Sequence, residues 1–323
     1  MNRKNPNDPY HDEQSYQNHD ENPYTGNKDE RYDRFERYGY DNQYDGAYMR
    51  ASQGEEPQEE KKKKKFFFWL IFLIALSIFL YSAYQLFTIF KANWDEKREL
   101  ETLTEIGNIP ENPETPFTIN WSALKEINDH LVAWIMIPDT NISYPIVQGS
   151  DNTYYLDHTF AKGENYAGAV FVDYHNKPDF SDNNTFIYGH NVRHGTMFAD
   201  LENFMDSTFF QDHKYVYLFT PDQNYRCEVV SFQSTKDGTD AYRFGITDVK
   251  EWKKYIELIT SPSIKGHVRN DVKMGESDRL ISLSTCSYEV NNDVSDQRYL
   301  LHAKLVPWVG QYEKEEGVGP ENP

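Results

Sequence analysis

The hydropathy pattern is dominated by a run of 25 uncharged residues from Phe66 to Phe90, rich in Phe, Leu and Ile. At about 1.5 Å per residue, a helix over this run reaches roughly 37 Å, enough to cross a hydrocarbon core of about 30 Å with some tilt. A cleaved signal peptide is the alternative, but its apolar region is only about 7 to 15 residues long and lies near the chain start. Here 65 residues precede the run. The pattern therefore predicts an uncleaved transmembrane helix.

Helical spacing continues after this span and then breaks. Residues 91–106 place apolar and charged side chains at helical intervals, whereas residues 107–116 contain three prolines. The first segment predicts a helix leaving the membrane, and the second predicts a linker. A short helix is expected around Trp121 to Asn128, with Asn120 as its N-cap. We expect the globular domain to start near Phe117.

From Val132 onward the pattern changes to short alternating or apolar runs bounded by Gly, Pro, Asn and Asp, which is typical of strands. One amphipathic helix, residues 248–260, is inserted between the later strands and stops at Ser261-Pro262. Many short strands with a single inserted helix favour a mainly β fold, a β-barrel rather than a sheet of βαβ units. The predicted strands are 133–137, 143–148, 169–172, 185–188, 214–220, 225–234, 280–285 and 298–306.

Charge orients the chain across the membrane. Five lysines, residues 61–65, abut the N-terminal side of the span, whereas the flank 91–98 mixes both signs. Positive residues stay on the cytoplasmic side of a membrane. We therefore expect a single-pass protein of the cell membrane, with a cytoplasmic N-terminus and an extracytoplasmic domain.

Composition separates the tail from the domain. Residues 1–65 contain no Leu, Ile, Val or Trp, so they cannot bury enough apolar surface to fold and should be disordered. The whole chain carries −19; residues 1–60 account for −8 and the lysine block for +5, which leaves −16 for residues 66–323. So acidic a domain argues against nucleic acid as a partner.

Only two cysteines occur, Cys227 and Cys286, too few for a disulfide framework. A bridge between them is one alternative in an oxidising compartment. Cys227 lies inside a predicted strand and is expected to be structural. Cys286 ends an apolar stretch, so its thiol should sit at the rim of the barrel, on a rigid element that suits a nucleophile.

Two further residues could act with this thiol. His190 lies just past a predicted strand, and Gly189 before it allows close backbone approach. Arg298 opens the last strand, 12 residues after Cys286, so a hairpin could return it to the thiol. Each signal alone is weak, because most such residues are ordinary core or surface groups. The order His, Cys, Arg on three strand ends predicts a shared site without settling the reaction.

Specific motifs extend this reading. The segment Leu283-Ser284-Thr285-Cys286 resembles the TLxTC signature of sortases, with Ser282 where the first Thr is usual. The resemblance is to class B sortases and runs from about Phe117 to Val306. Its other matching segments are Trp134-Ile135, 144–148, Asp151-Asn152 with Tyr155-Leu156, Gly168, and 187–191 through 195–198 with Leu201.

The resemblance implies a sortase-type closed β-barrel and a thiol transpeptidase on the outer face of Gram-positive membranes, with no metal or cofactor. Its triad maps onto His190, Cys286 and Arg298. Cys286 would attack the threonine carbonyl of a sorting signal on a surface protein, His190 would protonate the departing amine, and Arg298 would hold the substrate backbone or the oxyanion. An amine of a lipid-linked peptidoglycan precursor, or slowly water, would resolve the thioester. The residues matched to the signal-peptide groove are Asn152, Leu156, Tyr188, Ser284 and Thr285.

This sequence departs from the family pattern beside the thiol. Residues 291–297 read as a small insertion, and Ser287 stands where some relatives carry an acidic residue. Two alternatives to a wall-anchoring sortase stay open: a class B-like sortase that polymerises pilins, and a non-enzymatic binding module. The latter predicts loss of a triad residue, and none is lost. The expected organisation is a disordered cytoplasmic tail 1–65, a transmembrane signal anchor 66–90, a helical stalk and Pro-rich linker 91–116, a catalytic domain 117–307 and a polar tail 308–323.

Overall fold

The structure is a computed structural model that describes residues 58–192, 195–286 and 296–308. It divides into two units, residues 1–76 and residues 77–323. The predicted C-terminal tail, apart from Trp308, and most of the predicted N-terminal tail lie outside the described residues. The helices are α1 Gln58–Gly107, α2 Trp121–Ile127, α3 Ser207–Asp212 and α4 Val249–Ile259, with 3-10 helices at Tyr154–Leu156 and Ala199–Met205.

Helix α1 contains the predicted span. Within the described part of the chain it is the one helix long and apolar enough to cross a membrane, and its large apolar side chains from Phe66 to Phe90 are mostly exposed. It begins at Gln58, so residues 58–65 are helical, whereas their composition predicted a disordered tail. Lys and Glu have high helix propensities and continue the helix outward from the span.

The last turns of α1 pack on the folded unit. Leu103 is 3% exposed and belongs to an apolar cluster with residues of the first strands. The helix ends with Asn108 in the left-handed region, at φ 52°, and the Ile109 amide donates to the Thr104 carbonyl at 3.0 Å. This is a typical helix terminus. Ile109 joins the same cluster, so packing begins upstream of Phe117, the predicted domain start.

Both helices predicted within the globular domain occur with side-chain caps. Asn120 caps α2, its side-chain oxygen accepting from the Ala123 amide at 3.2 Å, as the sequence predicted. Asp248 caps α4 by accepting from the amides of Lys250 and Glu251. Each cap satisfies amides that have no partner within the first helical turn.

Eleven strands are present in the described residues. All eight predicted strands occur, and the short strands β5, β6 and β9 were not predicted. The strands are β1 Leu131–Met136, β2 Ser143–Val147, β3 Val170–Val172, β4 Asn184–Tyr188, β5 Asn191–Val192, β6 Thr196–Met197, β7 Tyr215–Phe219, β8 Asn224–Lys236, β9 Gly266–Val268, β10 Leu280–Cys286 and β11 Gln297–Lys304.

The eight predicted strands close into a barrel. Their order is β11-β10-β4-β3-β2-β1-β7-β8, and pairing of β8 with β11 completes the circle. The closed β-barrel prediction is therefore confirmed. Strand β9 pairs with the part of β8 that lies beyond its pairing with β7, and β5 pairs with β6 separately. Closure removes the free sheet edges that would otherwise invite pairing with other chains.

The two faces of β10 have different surroundings. Ile281 and Leu283 belong to the main apolar core inside the barrel. Because side chains alternate along a strand, Ser282, Ser284 and Cys286 lie on the outer face. Helix α4 and the loop before it cover the start of this face, since Leu280 packs with Trp252 and other α4 residues. Cys286, at the far end, is half-buried.

A chain of hydrogen bonds crosses this outer face. Gln233 Nε2 donates to His302 Nε2 at 3.2 Å, and His302 Nδ1 donates to Ser282 Oγ at 2.8 Å. Ser282 Oγ donates to Asn184 Oδ1 at 2.7 Å, and Asn184 Nδ2 donates to the Tyr255 hydroxyl at 2.8 Å. The chain joins strands β8, β11, β10 and β4 to helix α4. The link from Gln233 requires a neutral His302, because Nε2 must be unprotonated to accept this hydrogen bond.

Acid should destabilise the fold through His302. Burial lowers its pKa from 6.5 to about 3, so between these values the unfolded chain binds more protons than the folded chain. Stability present above pH 6.5 is therefore lost as pH falls, by up to about 1.4 kcal/mol per pH unit. We expect the melting temperature of the protein to fall between pH 6.5 and pH 5, and this slope to be smaller in His302→Gln. Equal slopes in the two proteins would contradict the assignment.

Candidate active site

Strand pairing brings the predicted thiol and arginine together. In the antiparallel pair of β10 and β11, Cys286 lies directly opposite Arg298. On its other side β10 pairs in parallel with β4, and Ser284 is in register with Tyr188. His190 follows β4 by two residues, so it emerges at the same end of the barrel as Cys286. Three strand ends therefore deliver the three residues to one rim.

His190 is fixed by a backbone contact. Its Nε2 lies 2.8 Å from the carbonyl oxygen of Leu156. A carbonyl only accepts, so Nε2 carries a proton, and in the neutral ring Nδ1 is the acceptor. Among the hydrogen bonds of the described residues, none joins His190 to the Cys286 thiol. Catalytic hydrogen bonds are often long or absent before substrate binds, so the arrangement remains compatible with proton transfer.

The histidine loop is tied to the thiol strand at two points. The Gly189 amide donates to the Ser284 carbonyl at 3.2 Å, and Asn191 Nδ2 donates to the Cys286 carbonyl at 2.9 Å. A Cβ at Gly189 would lie 2.8 Å from the ring of Phe198. Only glycine allows this close approach without displacing the ring, which explains why the histidine follows a glycine.

All eight predicted site residues line one cavity of about 250 Å³. Four residues that were not assigned to the site also line it: Phe171, Gly189, Asp237 and Tyr242. The predicted members are Asn152, Leu156, Tyr188, His190, Ser284, Thr285, Cys286 and Arg298.

Tyr242 covers β10 just before the thiol. Its hydroxyl lies 2.8 Å from Ser284 Oγ, and its ring stacks on Phe186 with centroids 5.4 Å apart. Burial raises the pKa of Tyr242 well above its usual value, so the phenol stays protonated. The part of the outer face of β10 that other residues cover therefore ends at the Tyr242 ring, and the cavity begins beside this ring.

Asp237 pairs with Arg298. Its Oδ2 lies 3.1 Å from a guanidinium nitrogen, and the side chains are 55% and 22% exposed respectively. The same guanidinium also donates to the Gln297 carbonyl at 3.0 Å. Asp237 directly follows β8, whose residue Thr235 lies opposite Arg298 in the barrel closure. A carboxylate beside the guanidinium orients it and offsets part of its charge.

The two cysteines, Cys227 and Cys286, are not joined by a disulfide bond. Cys227 is a free thiol buried in β8, and burial raises its pKa, so it is inert. Cys286 is also free, and the disulfide alternative is wrong.

Thr285 is 2% exposed, and its hydroxyl has no hydrogen-bond partner within the described part of the chain. Across the described ranges, no group of three or more His, Cys, Asp or Glu side chains could hold a metal ion.

Comparisons with known proteins place the chain in a family. The family model for the Sortase domain matches residues 135–306, more than half of the chain. Sortase B of Listeria monocytogenes is 36% identical over 185 residues, which are 57% of this chain and 72% of that protein. The chain belongs to the class B sortases. Sortase B of Bacillus anthracis superposes with a TM-score of 0.59 at 30% identity, over 68% of this sortase and all of that structure. Sortase B of Clostridium perfringens superposes with a TM-score of 0.53 at 32% identity, over 58% of this sortase and all of that structure.

Family membership fixes the class of reaction. Sortases are cysteine transpeptidases that act on proteins bearing a sorting signal and pass them to an amine nucleophile. This sortase is therefore an enzyme, and the non-enzymatic alternative is set aside. These relatives give no support to the pilin-polymerising alternative. Ser287 and most of the predicted insertion 291–297 lie within residues 287–295, which are outside the described residues.

The contact between Asp237 and Arg298 leads to a prediction. We expect Asp237→Asn to lower kcat/KM for a sorting-signal peptide roughly 3- to 10-fold, because the amide holds the guanidinium less firmly than a carboxylate. Stability should change little, since the pair is partly exposed. Peptide cleavage and thermal melting measure the two effects. Asp240→Asn, an exposed change in the same loop, is the control. Equal kcat/KM in both variants would show that the ion pair does not serve the site.

Proposed function

We propose that this sortase cleaves the C-terminal sorting signal of secreted surface proteins and joins them to an amine of a lipid-linked peptidoglycan precursor. In this proposal His190, Cys286 and Arg298 are the catalytic residues. The observation that carries it is that three separate strand ends bring a thiol, an imidazole and a guanidinium to one cavity. A nucleophile, a proton carrier and a fixed cation are what acyl transfer requires.

The first half-reaction forms a thioester. The Cys286 sulfur, as thiolate, attacks the threonine carbonyl of the sorting signal and generates an oxyanion. Arg298 stabilises this charge or holds the adjacent substrate backbone. The C–N bond then breaks, and protonated His190 gives its proton to the departing amine. The substrate's N-terminal part remains on sulfur, and its C-terminal fragment leaves.

The second half-reaction releases the product. The amine of the wall precursor attacks the thioester carbonyl, and neutral His190 takes up a proton from that amine. The C–S bond breaks, Cys286 leaves as thiolate, and a new amide links the protein to the precursor. Water in place of the amine gives slow hydrolysis, so the enzyme should also act as a thiol-type hydrolase.

The walls of the cavity support the assignment of the signal-binding residues. Leu156 offers an exposed apolar side chain, and its carbonyl holds His190. Asn152 and Tyr188 supply polar groups, and both are hydrogen-bonded to the protein. Ser284 and Thr285 precede the thiol on β10. We assign these five residues to the groove that binds the sorting signal.

The proposed location follows from the charges around α1. The lysines of residues 61–65 lie at one end of the apolar segment, which we assign as an uncleaved signal anchor. Positive residues favour the cytoplasmic side. The barrel is then extracytoplasmic, at the surface where translocating proteins and lipid-linked precursors both pass. Membrane attachment through one helix gives the enzyme access to both.

The decisive test removes the thiol. The full chain in detergent should cleave a member of a fluorogenic sorting-signal peptide library, and Cys286→Ala should lower the rate by at least roughly 1000-fold, because no other described group replaces the nucleophile. Cys227→Ala, which removes the other thiol, should retain cleavage per folded molecule. Adding an amine nucleophile should divert the thioester from hydrolysis to the transfer product. Undiminished cleavage by Cys286→Ala would overturn the mechanism.

A further inference from the structure

A buried carboxylate lies behind the proposed signal-binding groove. Asp173 directly follows β3 and is 2% exposed. Its Oδ2 accepts from Asn152 Nδ2 at 2.7 Å and from the Tyr188 hydroxyl at 2.9 Å. Its Oδ1 accepts from the backbone amide of His175 at 2.9 Å and from His175 Nδ1 at 2.8 Å. Four donors therefore converge on one buried carboxylate, which satisfies its desolvated charge.

Two of these donors belong to residues that line the cavity. Asn152 and Tyr188 reach the same oxygen from different parts of the chain, the segment after β2 and the end of β4. Asp173 itself does not line the cavity. Its link to the groove is therefore indirect and passes through these two side chains.

Asp173 determines which atoms of Asn152 and Tyr188 donate hydrogen bonds and which accept them. Asn152 Oδ1 accepts from the Tyr174 amide at 3.0 Å while its Nδ2 donates to Asp173, so the carboxamide cannot reverse. One Nδ2 hydrogen remains to donate elsewhere. A carboxylate cannot donate, so the Tyr188 hydroxyl must donate inward and its oxygen is left to accept. Burial, reinforced by the Asp173 charge, raises the pKa of Tyr188 far above its usual value and keeps it protonated.

We propose that Asp173 is a positioning residue for sorting-signal recognition, holding Asn152 as a donor and Tyr188 as an acceptor along the groove. A peptide group, which both donates and accepts, matches this pair. The inference rests on the proposed function, because the groove is the one assigned there to the signal. A purely structural Asp173 would lower stability and leave the peptide's KM unchanged, whereas a positioning residue acts on binding.

The test compares two isosteric changes in the same region. Asp173→Asn keeps the volume and removes the carboxylate. We expect a rise in KM of roughly 10-fold or more with kcat changed less than about 2-fold. The dissociation constant of an uncleaved signal peptide for the protein that also carries Cys286→Ala should rise in parallel. The rate of Cys286 alkylation by iodoacetamide should be unchanged, since the thiol is not contacted by Asp173.

Asp182→Asn is the matched control. Asp182 Oδ2 also accepts two hydrogen bonds, from Asn176 Nδ2 and the Lys177 amide, but neither donor lines the cavity. This variant should keep the KM of the unaltered enzyme, whatever thermal stability it loses. An unchanged KM in Asp173→Asn, or an equal rise in both variants, overturns the inference while leaving the proposed function intact. Failure of the unaltered enzyme to cleave any signal peptide overturns both.

A second set of variants keeps the proposal testable if Asp173→Asn does not fold. Because Asn152 and Tyr188 bind one oxygen of one carboxylate, their contributions to peptide binding should be coupled. We expect the fold-rise in KM of the double variant, Asn152→Ala with Tyr188→Phe, to differ by at least about 3-fold from the product of the fold-rises of the two single variants. Multiplicative effects would mean that Asp173 does not couple the two side chains.

Discussion

The site depends on the position of β10 between a parallel partner and an antiparallel partner. Pairing with β11 sets Arg298 opposite Cys286, and pairing with β4 sets the strand that ends before His190 alongside. A shift of either pairing by one residue would turn the outer-face side chains into the barrel. The apolar inner residues Ile281 and Leu283 resist such a shift, because it would remove them from the apolar core. Core packing thereby holds the catalytic geometry.

The outer face of the same strands is layered. At one end the neutral, buried His302 joins Ser282 in a hydrogen-bond chain that helix α4 covers. Next comes an apolar layer in which Phe186, Leu300 and Ala241 pack together. The cover ends where the ring of Tyr242 lies, and the cavity opens beyond it. Ser282 in turn donates to Asn184 within this chain of hydrogen bonds. The groove is thus the uncovered end of an otherwise protected sheet face.

Local sequence patterns could predict much of this. Alternation and turn residues located all eight barrel strands, and strand ends located the three proposed catalytic residues. The partners Asp237 and Asp173 could not be found in this way. Asp237 meets Arg298 across 61 residues, and Asp173 meets Asn152 across 21, through a strand register that no local pattern encodes. Residues 58–65 were misjudged because low apolar content predicts disorder, whereas helix propensity next to a long apolar helix prevails.

The central claim is that acyl transfer passes through the sulfur of Cys286, with its partners set by strand register. Intact-mass analysis of the full chain, quenched during turnover of a sorting-signal peptide, tests this most directly. The account predicts an adduct with the mass of the peptide's N-terminal fragment, removed by hydroxylamine as a thioester is, and located by digestion on the segment containing Cys286. Peptide cleavage with the adduct on another residue would contradict it.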